Sequence, residues 1–280
     1  MAKILDGKEV ANAINQKNAD RVSEIISSGS LVPKLAVVCV GDSASNASYL
    51  KGIEKRASEA GVLYDLKEFP EDISIEKLCE QIERLNEDEK VNGILLLRPL
   101  AGGLKQFEAD ICEKISPEKD VDAATKLSVA GAYLGSNAYA PCTAESCVAI
   151  LDHFGIDIEG KHVVVIGRSL VVGKPVANML LNRNATVTVC HSKTENIASI
   201  SKKADIVVVA TGTANKFGAK YFSKGQVVID AGINWDPEAK KLCGDVDFEA
   251  VEPIVDAITP VPGGVGSVTS AILIQHTTQP

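Results

Sequence analysis

Apolar residues along this chain follow two alternating rhythms. Over residues 4–29 they recur at helical spacing (Val10, Ala13, Ile14, Val22, Ile25, Ile26) and stop at Gly29, which predicts a long first helix. Continuous apolar runs follow. KLAVVCVG (34–41) reads as a buried strand, about 44–60 as a helix closed by Gly61, and VLYDLKEF (62–69) as a strand. SIEKLCEQIERLNED (74–88) reads as a helix and VNGILLLRPL (91–100) as a further buried strand. Unbroken apolar strands separated by helices predict βαβ units and a parallel sheet, because the crossover helices cover both sheet faces.

From 101 to 142 the rhythm is less regular and includes the turn-rich PEKDVD (117–122) and YAPCT (139–143). A second series then starts with a helix N-capped by Thr143 and stopped at Gly155. Strands are predicted at HVVVIG (162–167), ATVTVC (185–190), DIVVVATG (205–212) and GQVVIDAG (225–232). Helices are predicted at PVANMLLNRN (175–184), with Pro175 in the first turn, and at TENIASISKKA (194–204). VTSAILIQ (268–275), after a Gly/Pro-rich loop, reads as a helix returning to the first half. The expected class is α/β with two domains: 1–142 joined by the returning segment 268–280, and 143–267.

A length of 280 residues suits two cores. The net charge of −8 argues against nucleic-acid or membrane-surface partners, since phosphate-rich surfaces attract basic proteins. It leaves room for a small anion in a locally basic pocket. The start, MAKILDGKEV, has no charged stretch followed by an apolar one, so no signal peptide is expected. The longest apolar runs are too short to span a bilayer. Cysteines 39, 79, 112, 142, 147, 190 and 243 are scattered without a C-x-x-C pair. That pattern gives no metal-site spacing and fits a cytoplasmic location.

The sharpest local motif is GRSLVVGKP (167–175), set between a predicted strand and a predicted helix. Such a turn can bring backbone N–H groups to a pyrophosphate at the positive end of the helix. Its glycines, Gly167 and Gly173, are not spaced as G-x-G-x-x-G, and Ser169 holds the middle position. A plain structural turn is the alternative. The next strand ends in Cys190, His191, Ser192 and Lys193, with no carboxylate to bond a ribose 2′-hydroxyl. Arg168 with hydroxyl donors instead suits a 2′-phosphate, so NADP is preferred over NAD. The alternative is that Arg168 and Lys193 are solvated charges.

Taken together, GRSLVVGKP, CHSKT (190–194), IDAGIN (229–234), GDVDFE (244–249) and TPVPGGVG (259–266) resemble the methylenetetrahydrofolate dehydrogenase/methenyltetrahydrofolate cyclohydrolase family. VGDSASNASY (40–49), NGILLLRPL (92–100) and PEKDVD extend the match through the first half, in order and at family spacing. The resemblance implies a homodimer of two-domain protomers, each with a folate-site domain, a Rossmann-like NADP domain and a cleft between them. It implies that Gly167, Arg168, Ser169, Gly173, Ser192 and Ile233 meet the cofactor, that Tyr49 stacks on the folate and that Asp122 bonds the pterin. Pro262 and Gly263 would line the substrate side. Alone, Tyr49 reads as a helix-surface aromatic and Asp122 as a turn-capping carboxylate.

The chain departs from the family at four places. A family lysine is Ile53, a family glutamine is Leu97, the glycine after the DVD run is Ala123, and Pro-Cys-Thr-Pro is Pro-Cys-Thr-Ala (141–144). Lys51 and Lys55 point away from the Tyr49 face at 100° per residue, and strand alternation turns Arg98 opposite Leu97. Hydride loss from a methylene between two nitrogens needs alignment more than acid–base help, whereas hydrolysis of a methenyl cation needs a positioned ionisable group. The expectation is an NADP-dependent oxidation of methylenetetrahydrofolate with the cyclohydrolase half lost or weak. The alternatives are the full bifunctional enzyme and a non-catalytic NADP- and folate-binding protein.

Overall fold

In chain order the elements are β1 (Lys3–Ile4), α1 (Gly7–Ser27), β2 (Lys34–Val40), α2 (Ala47–Ala60), β3 (Leu63–Phe69), α3 (Ile75–Glu87) and β4 (Gly93–Leu96). After a 3₁₀ turn at Gly102–Phe107 come α4 (Glu108–Cys112), α5 (Lys126–Leu134), α6 (Cys142–His153), β5 (His162–Ile166), α7 (Gly173–Asn182) and β6 (Thr186–Cys190). Then follow α8 (Ile197–Ser201), β7 (Ile206–Val209), β8 (Val227–Asp230), β9 (Asn234–Asp236) and β10 (Lys241–Cys243). The chain closes with α9 (Phe248–Val251), β11 (Ala257–Ile258) and α10 (Val265–Thr278). This computed structural model describes residues 1–41, 46–135, 139–237 and 240–279. Residues 42–45 of the VGDSASNASY motif lie outside the described residues.

The chain divides into two units, one of Asn12–Cys142 with Ser270–Pro280 and one of Met1–Ala11 with Thr143–Thr269. The first holds a parallel three-stranded sheet in the order β3-β2-β4. Its central strand β2 is buried from Leu35 to Val40, as its unbroken apolar run requires. Helix α3 lays Leu78, Ile82 and Leu85 into the core and starts at Ser74, whose hydroxyl accepts from the Lys77 N–H. From Ser270 onward, α10 is apolar and buried through Ala271–Ile274, and Asn18 and Arg21 of α1 donate to its Ala271 and Thr278 carbonyls.

The PEKDVD segment runs beside β4, where Ile94 bridges Asp120. A Cβ at Gly93 would stand 2.7 Å from a Val121 methyl, so the glycine lets that segment close on the strand. Buried Asp120 then turns the chain by accepting from the Ala124 and Thr125 N–H groups. Ala123, in place of the family glycine, sits at φ +49, a left-handed conformation that costs a non-glycine residue about 1–2 kcal/mol.

The second unit holds a six-stranded sheet, β1-β11-β8-β7-β5-β6, with every pair parallel. The chain winds outward from β5 in both directions, to β6 on one side and to β7 and β8 on the other. That reversal is the topological switch point where open α/β sheets bind ligands, beyond the carboxyl ends of the strands.

Three sequence expectations are corrected. Residues 1–11, assigned to the 1–142 domain, belong to the six-stranded unit, where Lys3 and Ile4 register with Ala257 and Ile258. Two residues are too few to show a period in the sequence. Thr143 is not an N-cap, because α6 begins at Cys142. The helix expected over 194–204 contracts to Ile197–Ser201, since Asn196 takes a left-handed φ of +52. The irregular 101–142 stretch contains helical turns too short for periodicity to register.

Candidate functional site

The GRSLVVGKP turn leaves β5 at its carboxyl end. Gly167 adopts φ +131, and a Cβ there would collide with the Ala210 carbonyl that follows β7. A Cβ at Gly173 would collide with the Gly167 carbonyl. The two glycines therefore let the turn, the next strand end and the start of α7 close on one another. Ser169 braces the turn, its hydroxyl accepting from the Val172 and Gly173 N–H groups at 3.1 and 3.3 Å.

Arg168 and Ser169 are exposed after β5, and Ser192 and Lys193 are exposed after the adjacent β6. The His191 N–H donates to the Thr194 hydroxyl, shaping that second turn. Cys190–Thr194 carries no carboxylate. Glycines with no room for a side chain, a guanidinium, an ammonium and hydroxyls at neighbouring strand ends fit a dinucleotide with a 2′-phosphate. Ile233 is exposed, with its Cδ1 only 2.8 Å from where a Gly266 Cβ would stand.

Sequence reasoning missed the framework behind this site. Asp245 accepts from the N–H groups of Thr211, Gly212 and Thr213, the Thr211 hydroxyl and the Asn234 amide. Asp230 accepts from the N–H groups of Gly232, Asp245 and Val246. Burial pushes its carboxyl up to about 7 despite those three bonds. IDAGIN and GDVDFE thus fix the loops beyond β7 and β8. The sequence signal was present in Gly232 and Gly244, where a Cβ would overlap the Asp245 and Asp230 carboxylates.

Pro262 is exposed and follows a cis Val261–Pro262 bond, and Gly263 takes φ +106. The Gly263 carbonyl accepts from the Gly7 N–H at 2.8 Å, tying this loop to the start of α1.

In the three-stranded unit, Tyr49 lies in the first turn of α2 and is partly buried. Its hydroxyl is pushed well above the usual phenol range by burial, then by the Asp122 carboxylate and the Cys142 thiol, against an opposing pull from Arg98. Asp122 Oδ1 accepts from the Cys142 N–H at 3.3 Å, so it caps the start of α6. Its Oδ2 accepts from Arg98 Nη2 at 3.2 Å. Tyr49 thus feels the charge of Asp122, which Arg98 pairs at 3.2 Å.

Ile53 is fully buried with Leu50 and Ala57 on α2, and Leu97 is buried too. Lys51 and Lys55 are exposed, the latter 3.7 Å from Glu59. Position 53 is therefore a filled core site. Ile53→Lys is expected to destabilise the protein by about 2–4 kcal/mol, through lost packing and an ammonium without a partner. Thermal unfolding of the variant at neutral pH, compared with wild type, checks this.

Two family models match. "Tetrahydrofolate dehydrogenase/cyclohydrolase, catalytic domain" covers residues 5–122, and "Tetrahydrofolate dehydrogenase/cyclohydrolase, NAD(P)-binding domain" covers residues 141–280. "Bifunctional protein FolD" of Bacillus cytotoxicus is 46% identical over 279 residues, spanning 100% of this chain and 96% of that protein. Among solved structures, the bifunctional FolD methylenetetrahydrofolate dehydrogenase/cyclohydrolase of Campylobacter jejuni superposes with a TM-score of 0.93 at 37% identity, covering 99% of this chain and 98% of that one. The Trypanosoma brucei methylenetetrahydrofolate dehydrogenase-cyclohydrolase, complexed with NADP cofactor and inhibitor, superposes with a TM-score of 0.92 at 34% identity, covering 99% and 96%.

Proposed function

The chain belongs to the tetrahydrofolate dehydrogenase/cyclohydrolase family, and from that premise we propose that it oxidises 5,10-methylenetetrahydrofolate with NADP and then hydrolyses the methenyl product. The expectation that hydrolysis is lost with Ile53 and Leu97 finds no support among the relatives. Relatives at 46% and 37% identity, matched along nearly their whole length, are bifunctional. The observation that carries the bifunctional reading is the Tyr49–Asp122–Arg98 cluster, which keeps ionisable groups at the site although the two neighbouring positions are apolar.

When bound, NADP supplies a nicotinamide ring that accepts a hydride. Gly167 and Gly173 keep the pyrophosphate turn free of side chains, while Arg168, Ser169, Ser192 and Lys193 offer charge and hydrogen bonds to the 2′-phosphate. Ile233 covers part of the cofactor, and Pro262 and Gly263 line the substrate side. Tyr49 stacks on the pterin as a neutral phenol, and Asp122 accepts from a pterin N–H group. The amine lone pair of the methylene expels the hydride, so these residues orient the substrate and no protein base is required. The proposal carries with it a homodimeric assembly and a cytoplasmic location. Among the described residues no helix is long and apolar enough to cross a membrane.

Both half-reactions of the purified protein decide the matter. NADPH should form from methylenetetrahydrofolate and NADP, and added methenyltetrahydrofolate should lose its chromophore faster than in buffer. No enzyme-dependent loss would reduce the protein to a dehydrogenase. No NADPH would reduce it to a binding protein.

A further inference from the structure

Asp245 is fully buried, and its two oxygens tie together loops from two strand ends. Oδ2 accepts from the Thr211 and Gly212 N–H groups and from the Thr211 hydroxyl. Oδ1 accepts from the Thr213 N–H at 2.8 Å and from the Asn234 amide at 2.9 Å. Residues 211–213 follow β7, and Asn234 opens β9 just past the loop that follows β8. Exposed Ile233 stands in that loop between Asn234, held by Asp245, and Gly232, whose N–H is held by Asp230. A Cβ at Gly232 would collide with the Asp245 carboxylate, so the loop lies directly on it. Neither loop can shift without taking donors from a buried anion, which is costly.

The strand order β8-β7-β5-β6 sets the direction in which a dinucleotide runs. The glycine turn follows β5, and Arg168, Ser192 and Lys193, which suit a 2′-phosphate, are exposed after β5 and β6. The adenosine half therefore lies toward β6, and the other half crosses the turn toward β7 and β8. We propose that Asp245 is the positioning residue for the nicotinamide half of NADP, fixing residues 211–213 and Ile233 as two walls on the side of the turn away from the 2′-phosphate. This rests on the NADP-dependent reading given above. The N–H groups of Thr211, Gly212 and Thr213 are directed at Asp245, so this loop is not a second phosphate cradle. It presents exposed Gly212 and Thr213 outward in a fixed shape. Hydride transfer requires the ring and the donor carbon to be aligned, so a displaced wall costs rate while leaving the phosphate contacts intact.

Asp245→Asn keeps the shape of the side chain but turns one oxygen into an NH2 group, which faces donors whichever way the amide points. Calorimetric titration with NADP and with adenosine 2′,5′-bisphosphate, which carries the 2′-phosphate but no nicotinamide, tests the assignment beside the rate of NADPH formation. In Asp245→Asn the affinity for NADP should fall about 10-fold and kcat about 30-fold, while the bisphosphate binds within about twofold of wild type. Asn234→Ala, which cuts only the link to the loop of Ile233, should lower NADP affinity and kcat by about threefold each and also spare the bisphosphate. Should thermal unfolding show that Asp245→Asn does not fold, Asn234→Ala decides with the same two ligands. Equal weakening of NADP and the bisphosphate marks a general disturbance of the fold and overturns the assignment. So does NADP affinity and kcat at wild-type values. A wild-type protein that binds neither ligand overturns the NADP reading and this assignment together.

Discussion

Asp122→Ala is expected to lower kcat/KM for NADPH formation by about 10²-fold or more and to bring hydrolysis to the buffer rate. Two losses combine. The pterin loses an acceptor that fixes its position, and positional error is costly in hydride transfer because both reacting carbons must be aligned. The protein also loses an anchor, since the carboxylate accepts from the Cys142 N–H at the start of α6 and from Arg98. Removing it leaves a largely buried guanidinium unpaired, which costs about 1–3 kcal/mol at this degree of exposure. Asp122→Asn separates the two. It keeps an acceptor for the Cys142 N–H and lacks only the charge, so its thermal midpoint should fall less than that of Asp122→Ala while hydrolysis stays as low. Steady-state kinetics of both variants, with thermal unfolding alongside, check this. A near-wild-type kcat/KM for NADPH formation in Asp122→Ala would remove Asp122 from the site.

The architecture was legible because buried parallel strands cannot hide. Past their first residues, Lys34 and His162, the runs that became β2 and β5 are apolar and buried throughout, because helices cover both sheet faces. Where elements are shorter than a period, the signal vanishes. β1 and β11 are two residues each, and the antiparallel pair β9 and β10 three each. Backbone contacts such as Leu5 N–H to the Ile258 carbonyl define them, and hydrophobic spacing does not. The contraction of the 194–204 helix has a local cause in the left-handed Asn196.

The site was legible by parts. The glycines of GRSLVVGKP could be weighed from sequence because their context, strand then helix, is itself a sequence pattern. The partnership of Arg98 with Asp122 could not, because hydrophobic spacing along a strand does not say which loop carboxylate, far along the chain, a cation will meet. Ile53 shows the converse. Its identity was plain, but whether an apolar residue there leaves a vacancy or fills the core depends on packing, and it fills the core.

Gly167→Ala is expected to raise the KM for NADP and to lower kcat/KM together by about 100-fold, equivalent to about 2.7 kcal/mol. The new methyl would occupy the position of the Ala210 carbonyl, so the turn after β5 must move away from the strand end of β7. That is the switch point of the sheet, where backbone N–H groups must converge on the phosphates. The residue also sits at φ +131, so strain and displacement must be told apart. Gly160→Ala serves as the control. It too requires a left-handed residue, at φ +73, but a Cβ there meets nothing within 4 Å. It should therefore cost about 1–2 kcal/mol of stability and leave the NADP affinity unchanged. Gly173→Ala completes the set from the other side. Alanine favours a helix over glycine by about 1 kcal/mol, yet here its methyl would strike the Gly167 carbonyl, so NADP binding should weaken although local helix propensity rises. Calorimetric titration with NADP distinguishes the three. If Gly167→Ala binds NADP as wild type does, the phosphate turn lies elsewhere, whatever the glycines do for the fold.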